Sequence, residues 1–324
     1  MSGLHDGSVH SQPGETCARS RHRVSVTIPV YNGAETIRET IESVQRQTLE
    51  ADEILVFDNA STDGSARIAG EFLPSEAVIV AATNEGAVEN FNRCAREATG
   101  DYFMWLAADD RIRPGFIDTC VRELEANPDA AACLTGIQFT DSAGSPTRVQ
   151  TDEPLASPDA RTRLRSLLRR RRWTETYCMY RRDRLLQSPM FTPEYGADVL
   201  LTWWFLLRGP LAVCTDVLFE YREYPLKSVA ETVAATSAAL GPDDSLTHWR
   251  KRRMWTRLRE MTYASDVDPL VGKAARRELL LLSTWPGSVF FILEDVLERW
   301  PFIDRALRGL WVRLGSPGQI APTT

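Results

Sequence analysis

This chain of 324 residues lacks the features that mark several protein classes. It has only four histidines, and its six cysteines form no CxxC pair, so the usual spacing of zinc ligands is absent. Acidic residues outnumber basic ones, 44 to 38, which argues against a dedicated nucleic-acid-binding protein. No stretch reaches the roughly eighteen uncharged apolar residues of a membrane span. The sequence therefore disfavours a zinc protein, a nucleic-acid binder and an integral membrane protein.

Common catalytic signatures are missing as well. The sequence has no GxGxxG after a predicted strand, no GxxxxGK[ST] phosphate loop and no GxSxG nucleophile motif. Three histidines (His5, His10 and His22) lie in or beside the N-terminal tail, and the fourth is His248. We therefore do not expect a histidine-based triad.

The first 22 residues are polar and have no apolar segment of the kind found in signal peptides. Scattered cysteines without a pairing pattern are typical of a reducing compartment. We therefore expect a flexible tail at residues 1–22 and a cytoplasmic protein.

The first half of the chain alternates short β-branched runs with segments of helical periodicity. The predicted strands are Val24–Val30, Glu53–Phe57, Val78–Ala82, Tyr102–Leu106 and Ala131–Thr140. The predicted helices are Glu35–Gln47, Ser65–Phe72, Val88–Ala98 and a helix that begins at Pro114. This alternation predicts an α/β fold with a parallel sheet covered by helices on both faces.

The second half is less regular. We predict strands at Thr176–Tyr180 and Val217–Tyr221, a helix at Asp198–Arg208, and a loop over Asp141–Pro158. From about Gly241 to Leu314 the pattern is helical, with breaks at prolines. We expect one core domain over residues 23–225, divided at residue 140, and a C-terminal helical region over residues 226–324.

Polar loops follow four of the predicted strands. They are Tyr31–Gly33, Asp58–Ser61, Asn84–Gly86 and Asp109–Asp110. Because ligands of open α/β sheets bind beyond the carboxyl ends of the strands, these loops predict one site. In that site Tyr31 offers an aromatic face for a base, and Asp58 and Asn59 can meet the polar edge of a ligand.

The adjacent carboxylates of Asp109 and Asp110 repel each other unless a cation lies beside them. Mg²⁺ is commonly held by one or two carboxylates together with substrate phosphates. For an isolated Asp-Asp pair, a solvated turn with an acid near a helix start is the favoured interpretation. Here the three neighbouring polar loops favour a metal site.

These motifs together resemble the family 2 glycosyltransferases with the GT-A fold. The resemblance rests on Val24–Asn32, Asp58–Asp63, the Asn84–Gly100 spacing and Tyr102–Asp110, and it extends more loosely over Phe191–Tyr221. It implies a Rossmann-related, mostly parallel sheet covered by helices, with a C-terminal helical extension. It also implies inverting transfer of a sugar from a nucleotide-sugar donor to a sugar or lipid-linked acceptor, with Mg²⁺ or Mn²⁺ as cofactor.

The resemblance assigns roles to individual residues. The residues expected at the nucleotide are Pro29, Tyr31, Asn32, Asp58, Asn59, Asn84 and Asp109, and those expected at the metal are Asp109 and Asp110. The sequence departs from the family pattern at Asn59, where a second aspartate is usual and reads the base. It departs again at Ala107, where an extra acid is frequent.

For the general base, the family pattern is an acid that opens a helix followed by a bulky apolar run. Asp198 fits this pattern, with Glu194 as the second choice and an ordinary acid of a helix start as the alternative. Members often carry a metal-binding histidine at the position that Tyr224 occupies here.

Two segments could contact a membrane. Basic residues are dense over Arg161–Arg172, and Trp300–Trp311 combines tryptophans with arginines. A solvated helix face and ordinary tail packing are the favoured interpretations of these segments. Peripheral contact with the inner membrane face, or with an acceptor diphosphate, is the alternative.

Two further functions stay open. A catalytically silent scaffold that binds sugar nucleotides is one, if the departures at Asn59, Ala107 and Tyr224 weaken the site. A nucleotidyltransferase is the other, although the first loop lacks the Gly-rich, basic character that such an enzyme needs.

Overall fold

The computed structural model describes residues 22–169, 174–224 and 250–283. The strands are β1 (Val24–Val30), β2 (Glu53–Asp58), β3 (Val78–Val80), β4 (Tyr102–Trp105), β5 (Arg111–Ile112), β6 (Ala132–Thr140), β7 (Pro146–Gln150), β8 (Met179–Arg181) and β9 (Ala212–Arg222). The helices are α1 (Ile37–Gln45), α2 (Ser65–Ala69), α3 (Ala87–Glu97), α4 (Phe116–Ala126), α5 (Ala160–Leu168), α6 (Arg182–Leu186), α7 (Ala197–Arg208), α8 (Arg250–Met261) and α9 (Pro269–Ser283). The predicted alternation of strands and helices in the first half is confirmed.

In the first half, β1 lies between β2 and β4 and is parallel to both, and β3 extends the sheet beyond β2. Pro29 is tolerated in this central strand because the β1–β4 pairing has already ended. The last bond runs from the Leu106 N–H to the Thr27 carbonyl, at 2.9 Å. Since no donor is needed from position 29 on that side, the proline interrupts no hydrogen bond.

The second half of the sheet is mixed. β8 pairs antiparallel with β4 and with β6, and β9 then runs parallel to β6 and antiparallel to β5. The segment predicted as a loop over Asp141–Pro158 contains β7, which pairs antiparallel with β6. Because the side chains of β7 are mostly exposed, its sequence lacks the apolar alternation by which strands are recognised.

Helices cover both faces of the sheet. On one face α1 buries Ile37, Ile41 and Val44, and α4 packs beside it. On the other face α3, α5 and α7 form a second core, which also includes residues of α8 and α9. The described part of the C-terminal region is therefore packed against α5 and α7. No helix in the described ranges is both long and apolar enough to cross a membrane.

Candidate active site

The loop after β1 presents Tyr31 and fixes Asn32. Tyr31 is 53% exposed, and Asn32 has a left-handed backbone with φ of 54°. The Asn32 N–H donates to the Ser61 hydroxyl at 2.9 Å, and its side-chain oxygen accepts from the Thr62 N–H at 2.9 Å. Asn32 thus ties the β1 loop to the β2 loop, and Tyr31 remains accessible to a ligand.

Asp58 and Asn59 at the end of β2 are both buried, but their side chains are used differently. The Asn59 amide nitrogen donates to the Asn84 side-chain oxygen at 2.8 Å, and its oxygen accepts from the Glu85 N–H at 2.9 Å. One Asp58 oxygen accepts from the Ser61 N–H at 2.7 Å, whereas Oδ2 is buried with no hydrogen-bond partner among the described residues. Asn59 therefore organises the neighbouring loop with Asn84, and Asp58 keeps an acceptor atom for a ligand.

Hydroxyl groups on α1 hold the loop that carries Asp109 and Asp110. Thr36 donates to the Ala108 carbonyl at 2.8 Å, and Thr40 donates to the carbonyls of Ala108 and Asp110 at 2.9 and 2.8 Å. Gly33 allows the β1 loop to close over this point, since a Cβ there would lie 3.4 Å from the Ala108 Cβ and 2.9 Å from a Val30 methyl group.

Asp110 is the more buried acid of the pair, at 2% exposure. Its Oδ1 accepts from the Arg222 N–H at 2.8 Å, and its Oδ2 has no hydrogen-bond partner among the described residues. Burial, and then the neighbouring Asp109 charge, raise the pKa of Asp110 well above the usual range. A cation bound beside Asp110 would offset the cost of burying its negative charge next to Asp109.

Asp109 is partly exposed and lies next to Tyr224. Burial raises the pKa of Asp109, while the hydrogen bond from the Tyr224 hydroxyl and the Arg222 charge oppose that rise. Tyr224 thus contacts one acid of the pair from the position where a histidine is frequent in the resembled family. The free Oδ2 of Asp110 and the Asp109 carboxylate fit a divalent ion that takes its other ligands from phosphate and water. Within the described ranges, no group of three or more candidate ligand side chains surrounds such an ion.

Asp198 lies in the first turn of α7, which begins directly after Gly196, and the left-handed φ of 75° at Gly196 turns the chain into the helix. Its Oδ1 accepts from the Val199 N–H at 2.9 Å. Burial raises the pKa of Asp198 from 3.8 to about 6. By contrast, the Glu194 carboxylate accepts from the Thr192 hydroxyl at 3.3 Å and from the Arg257 guanidinium at 3.4 Å. Asp198 is thus the acid with the properties of a base near neutral pH.

The two groups of acids act on the same side chain, Tyr177. Burial, then Tyr221, Asp110, Asp109 and Asp198, raise the pKa of Tyr177 well above the usual range. The Tyr177 ring stacks on Phe219 of β9, with ring centres 5.8 Å apart. The charges of all three acids therefore contribute to the electrostatic environment of this one side chain.

Three residues that shape this site were not predicted from the sequence: Thr40, Tyr177 and Arg222. Thr36, which directly precedes α1, and Thr40 and Ser43 on the buried face of α1 carry hydroxyl groups, and this pattern could have indicated an anchored loop. Tyr177 lies in a turn just before β8, and nothing in the local sequence marks it. Arg222 lies two residues before Tyr224, and its backbone N–H reaches Asp110 only because β9 pairs with β5 beside it.

The basic run on α5 is engaged in structural contacts. Arg161 and Arg165 both bind Glu278 of α9 at 2.7 Å, and Glu278 is only 2% exposed. The buried Arg163 donates to the Leu206 carbonyl at 2.8 Å. Residues 170–172 of the run and the tryptophan-rich segment 300–311 lie outside the described residues.

The sequence is similar to those of known glycosyltransferases. The sequence profile of "Glycosyl transferase family 2" matches residues 25–187. The uncharacterized glycosyltransferase YibD of Escherichia coli is 32% identical over 215 residues, which is 62% of each chain. The putative glycosyltransferase EpsE of Bacillus subtilis is 32% identical over 126 residues, 38% of this chain and 45% of its own length. The chain thus matches less than two thirds of each relative.

Solved structures share the fold at low identity. S. aureus TarS 1-349 in complex with UDP-GlcNAc has a TM-score of 0.58 at 16% identity, covering 80% of this chain and 71% of TarS. The mannosyltransferase PcManGT from Pyrobaculum calidifontis, in complex with GDP-Man and Mn²⁺, has a TM-score of 0.51 at 19% identity, covering 92% and 82%. The expected GT-A fold is confirmed, and because the profile matches half of the sequence, the chain belongs to glycosyltransferase family 2.

Proposed function

We propose that this protein transfers a sugar from a nucleoside-diphosphate sugar to an acceptor hydroxyl, with inversion at the anomeric carbon. The observation that carries the proposal is the buried acceptor atom of Asp110, which has no hydrogen-bond partner among the described residues, next to Asp109 in the chain, together with Asp198, whose carboxylate accepts a hydrogen bond only from the Val199 N–H among the described contacts and whose pKa burial raises to about 6. Two acids suited to a diphosphate-bound cation and one suited to proton removal are the groups that such a displacement needs.

The donor half of the proposal rests on the loops after β1 to β4. Tyr31 is exposed for stacking on a base, and the Oδ2 atom of Asp58 is available to a donor group of the nucleotide. TarS and PcManGT bind UDP-GlcNAc and GDP-Man, respectively, and share this fold. We therefore place the nucleotide at the loops after β1 to β4. The residues that shape these loops are Pro29, Asn32, Asn59 and Asn84.

A divalent ion, Mg²⁺ or Mn²⁺, would be held by Asp110 and Asp109. When bound, it supplies positive charge to the diphosphate leaving group. Tyr224 and Arg222 hold the two acids in place: the Tyr224 hydroxyl bonds to Asp109, and the Arg222 N–H bonds to Asp110.

Asp198 takes the proton of the acceptor hydroxyl. With a pKa of about 6, its carboxylate is mostly ionised at pH 7 and is still basic enough to accept a proton. Among the described residues, its carboxylate accepts a hydrogen bond from the Val199 N–H through Oδ1, and Oδ2 is left for the acceptor. The acceptor enters from the half of the protein formed by α7 and β9, as a sugar or lipid-linked sugar of a surface polysaccharide, glycolipid or other glycoconjugate.

A panel of nucleotide sugars tests the proposal. The protein is incubated with UDP-, dTDP- and GDP-sugars, Mn²⁺ and candidate acceptors, and release of nucleoside diphosphate is measured. NMR of the product then determines the anomeric configuration. Release of pyrophosphate instead would identify a nucleotidyltransferase, and retention of configuration would exclude the inverting mechanism.

A second candidate function is binding of a sugar nucleotide without transfer. The observation that favours it is the hydrogen bond between Tyr224 and Asp109, at a position where a metal-binding histidine is frequent in the family. Tight, Mn²⁺-dependent donor binding with no turnover on any acceptor or on water would support this scaffold over the enzyme. Contact with a membrane stays a separate prediction. Arg161 and Arg165, two of the basic residues on which it rests, are bound to Glu278.

A further inference from the structure

Helix α8 packs against the segment that leads into Asp198. This segment, residues 188–196, is called the acceptor loop below. It ends at Gly196, where any side chain would collide with the sulfur of Met254 on α8. Met254 is 3% exposed, so the close packing of α8 on Gly196 excludes water. The contact lies two residues before Asp198.

A charged contact joins the same two elements. The Arg257 guanidinium of α8 lies 3.4 Å from the Glu194 carboxylate, and the Glu194 side chain is 16% exposed. The Trp203 indole N–H donates to the Leu258 carbonyl at 3.0 Å, which fixes α8 to α7. α8 therefore contacts both the acceptor loop and α7, the helix that follows this loop.

The opposite side of the acceptor loop is held by the nucleotide-binding half. The Asn92 side chain of α3 donates to the Phe191 carbonyl at 2.8 Å and accepts from the Phe191 N–H at 3.0 Å. Directly before this anchor, the backbone of Met190 has a left-handed φ of 58°. The loop thus has one anchor on α3 and a second on α8.

We infer that α8 is a positioning element for the transfer step, and that Arg257 and Met254 hold the acceptor loop so that Asp198 faces the acceptor. This inference rests on the proposed function, since it assigns α8 to the same site. A misplacement of about 1 Å in a catalytic group can cost on the order of 10²-fold in rate. The C-terminal region is then part of the catalytic unit.

The charged pair has little reason to exist for stability alone. Arg257 is 44% exposed, and ion pairs of this exposure contribute little to the free energy of unfolding. Loss of the pair therefore leaves the fold intact, and its effect on the loop can be measured separately.

The test compares Arg257→Gln with Arg259→Gln, which removes the same charge from an exposed position on the same helix. Hydrogen–deuterium exchange of the full-length variants should be faster over residues 188–196 in Arg257→Gln, and unchanged over residues 84–97. Arg259→Gln should match the wild type, and Arg257→Lys should restore most of the protection.

Turnover gives the functional readout. Release of nucleoside diphosphate from UDP-glucose, UDP-GlcNAc or GDP-mannose, with water as acceptor, should have a kcat about tenfold lower in Arg257→Gln, with the donor KM unchanged. The acidic limb of the pH profile should also move to lower pH, because a looser loop admits water to Asp198.

A double-mutant cycle with Glu194→Gln isolates the pair from the contact of Arg257 with Glu260. If the pair acts as one unit, the double variant is no slower than the slower single variant. Identical exchange in Arg257→Gln and Arg259→Gln, or fully additive effects in the cycle, would overturn the inference. If the wild type releases no nucleoside diphosphate with the full panel of donors and acceptors, the proposed function fails, and the exchange measurement still decides whether α8 holds the loop.

Discussion

Replacement of Asp198 by asparagine should abolish transfer and stabilise the protein at the same time. Asparagine keeps the shape and can still accept the hydrogen bond from the Val199 N–H. It cannot take a proton, and loss of a positioned base typically costs about 10²–10⁴-fold in rate. Nucleotide affinity should stay unchanged, because the donor contacts lie on the loops after β1 to β4.

The gain in stability follows from the raised pKa. The pKa of Asp198 rises from 3.8 to about 6 through burial, so the folded protein binds this proton more tightly than the unfolded chain does. As the pH rises from about 4 to about 6, the wild type loses roughly 1.4 kcal/mol per pH unit, in total about 3 kcal/mol. The side chain is only partly buried, so solvent screening makes this an upper value. The asparagine variant does not lose it.

Thermal unfolding at several pH values measures this difference. At pH 8 the variant should melt up to about 5 °C above the wild type, and the difference should shrink steadily as the pH falls below 6. Asp183→Asn, an exposed aspartate on α6, is the matched control and should show no such dependence. Transfer at the wild-type rate by Asp198→Asn, or a melting difference independent of pH, would refute the reasoning.

Three further predictions concern the neighbouring contacts. Asp110→Asn should remove the Mn²⁺ dependence of UDP binding in calorimetric titrations, and an unchanged Mn²⁺ effect would contradict the metal assignment. Thr40→Val leaves the carbonyls of Ala108 and Asp110 without their hydroxyl partner and should cost about 1–3 kcal/mol in urea unfolding, with about tenfold weaker Mn²⁺-dependent UDP binding. Glu278→Gln should destabilise the protein by about 1–3 kcal/mol at pH 7, because Arg161 and Arg165 lose their buried counter-charge. Burial raises the pKa of Glu278, but the two arginines outweigh this and lower it overall. The stability that the Glu278 carboxylate contributes is therefore lost as the pH falls below 4.5, and the wild type and the variant should then become equally stable.

Apart from the two-residue strand β5, the strands and helices of the first half could be predicted from the sequence because each is marked locally. β1 is predicted and observed at Val24–Val30, and α3 is predicted at Val88–Ala98 and observed at Ala87–Glu97. Short β-branched runs and helical apolar spacing are properties of neighbouring residues, so they need no knowledge of the tertiary fold. Once a parallel sheet is inferred from this alternation, the carboxyl ends of its strands indicate where the polar loops meet.

The contacts within the site could not be predicted in this way. Asn59 was expected at a nucleotide, and its role there stays a prediction, but its amide is engaged by Asn84 and Glu85, about 25 residues later in the chain. The basic residues of α5 are bound to Glu278, more than 100 residues away. Which polar groups meet across such separations depends on how the sheet and helices pack, and no local pattern encodes it.

The departures from the family pattern leave the key acceptor atoms of the site intact. Ala107 and Tyr224 lie beside the acid pair, and Tyr224 hydrogen-bonds to Asp109 without contacting the free oxygen of Asp110 among the described contacts. Asp58 likewise keeps one buried oxygen without a hydrogen-bond partner among the described residues. Each such atom costs the folded protein about 1–3 kcal/mol, and sequences that serve only packing tend to avoid this cost. Two such atoms, at the end of β2 and in the loop after β4, on either side of β1, fit the proposed metal-bound nucleotide sugar, which would bring a donor group to Asp58 and a cation to Asp110.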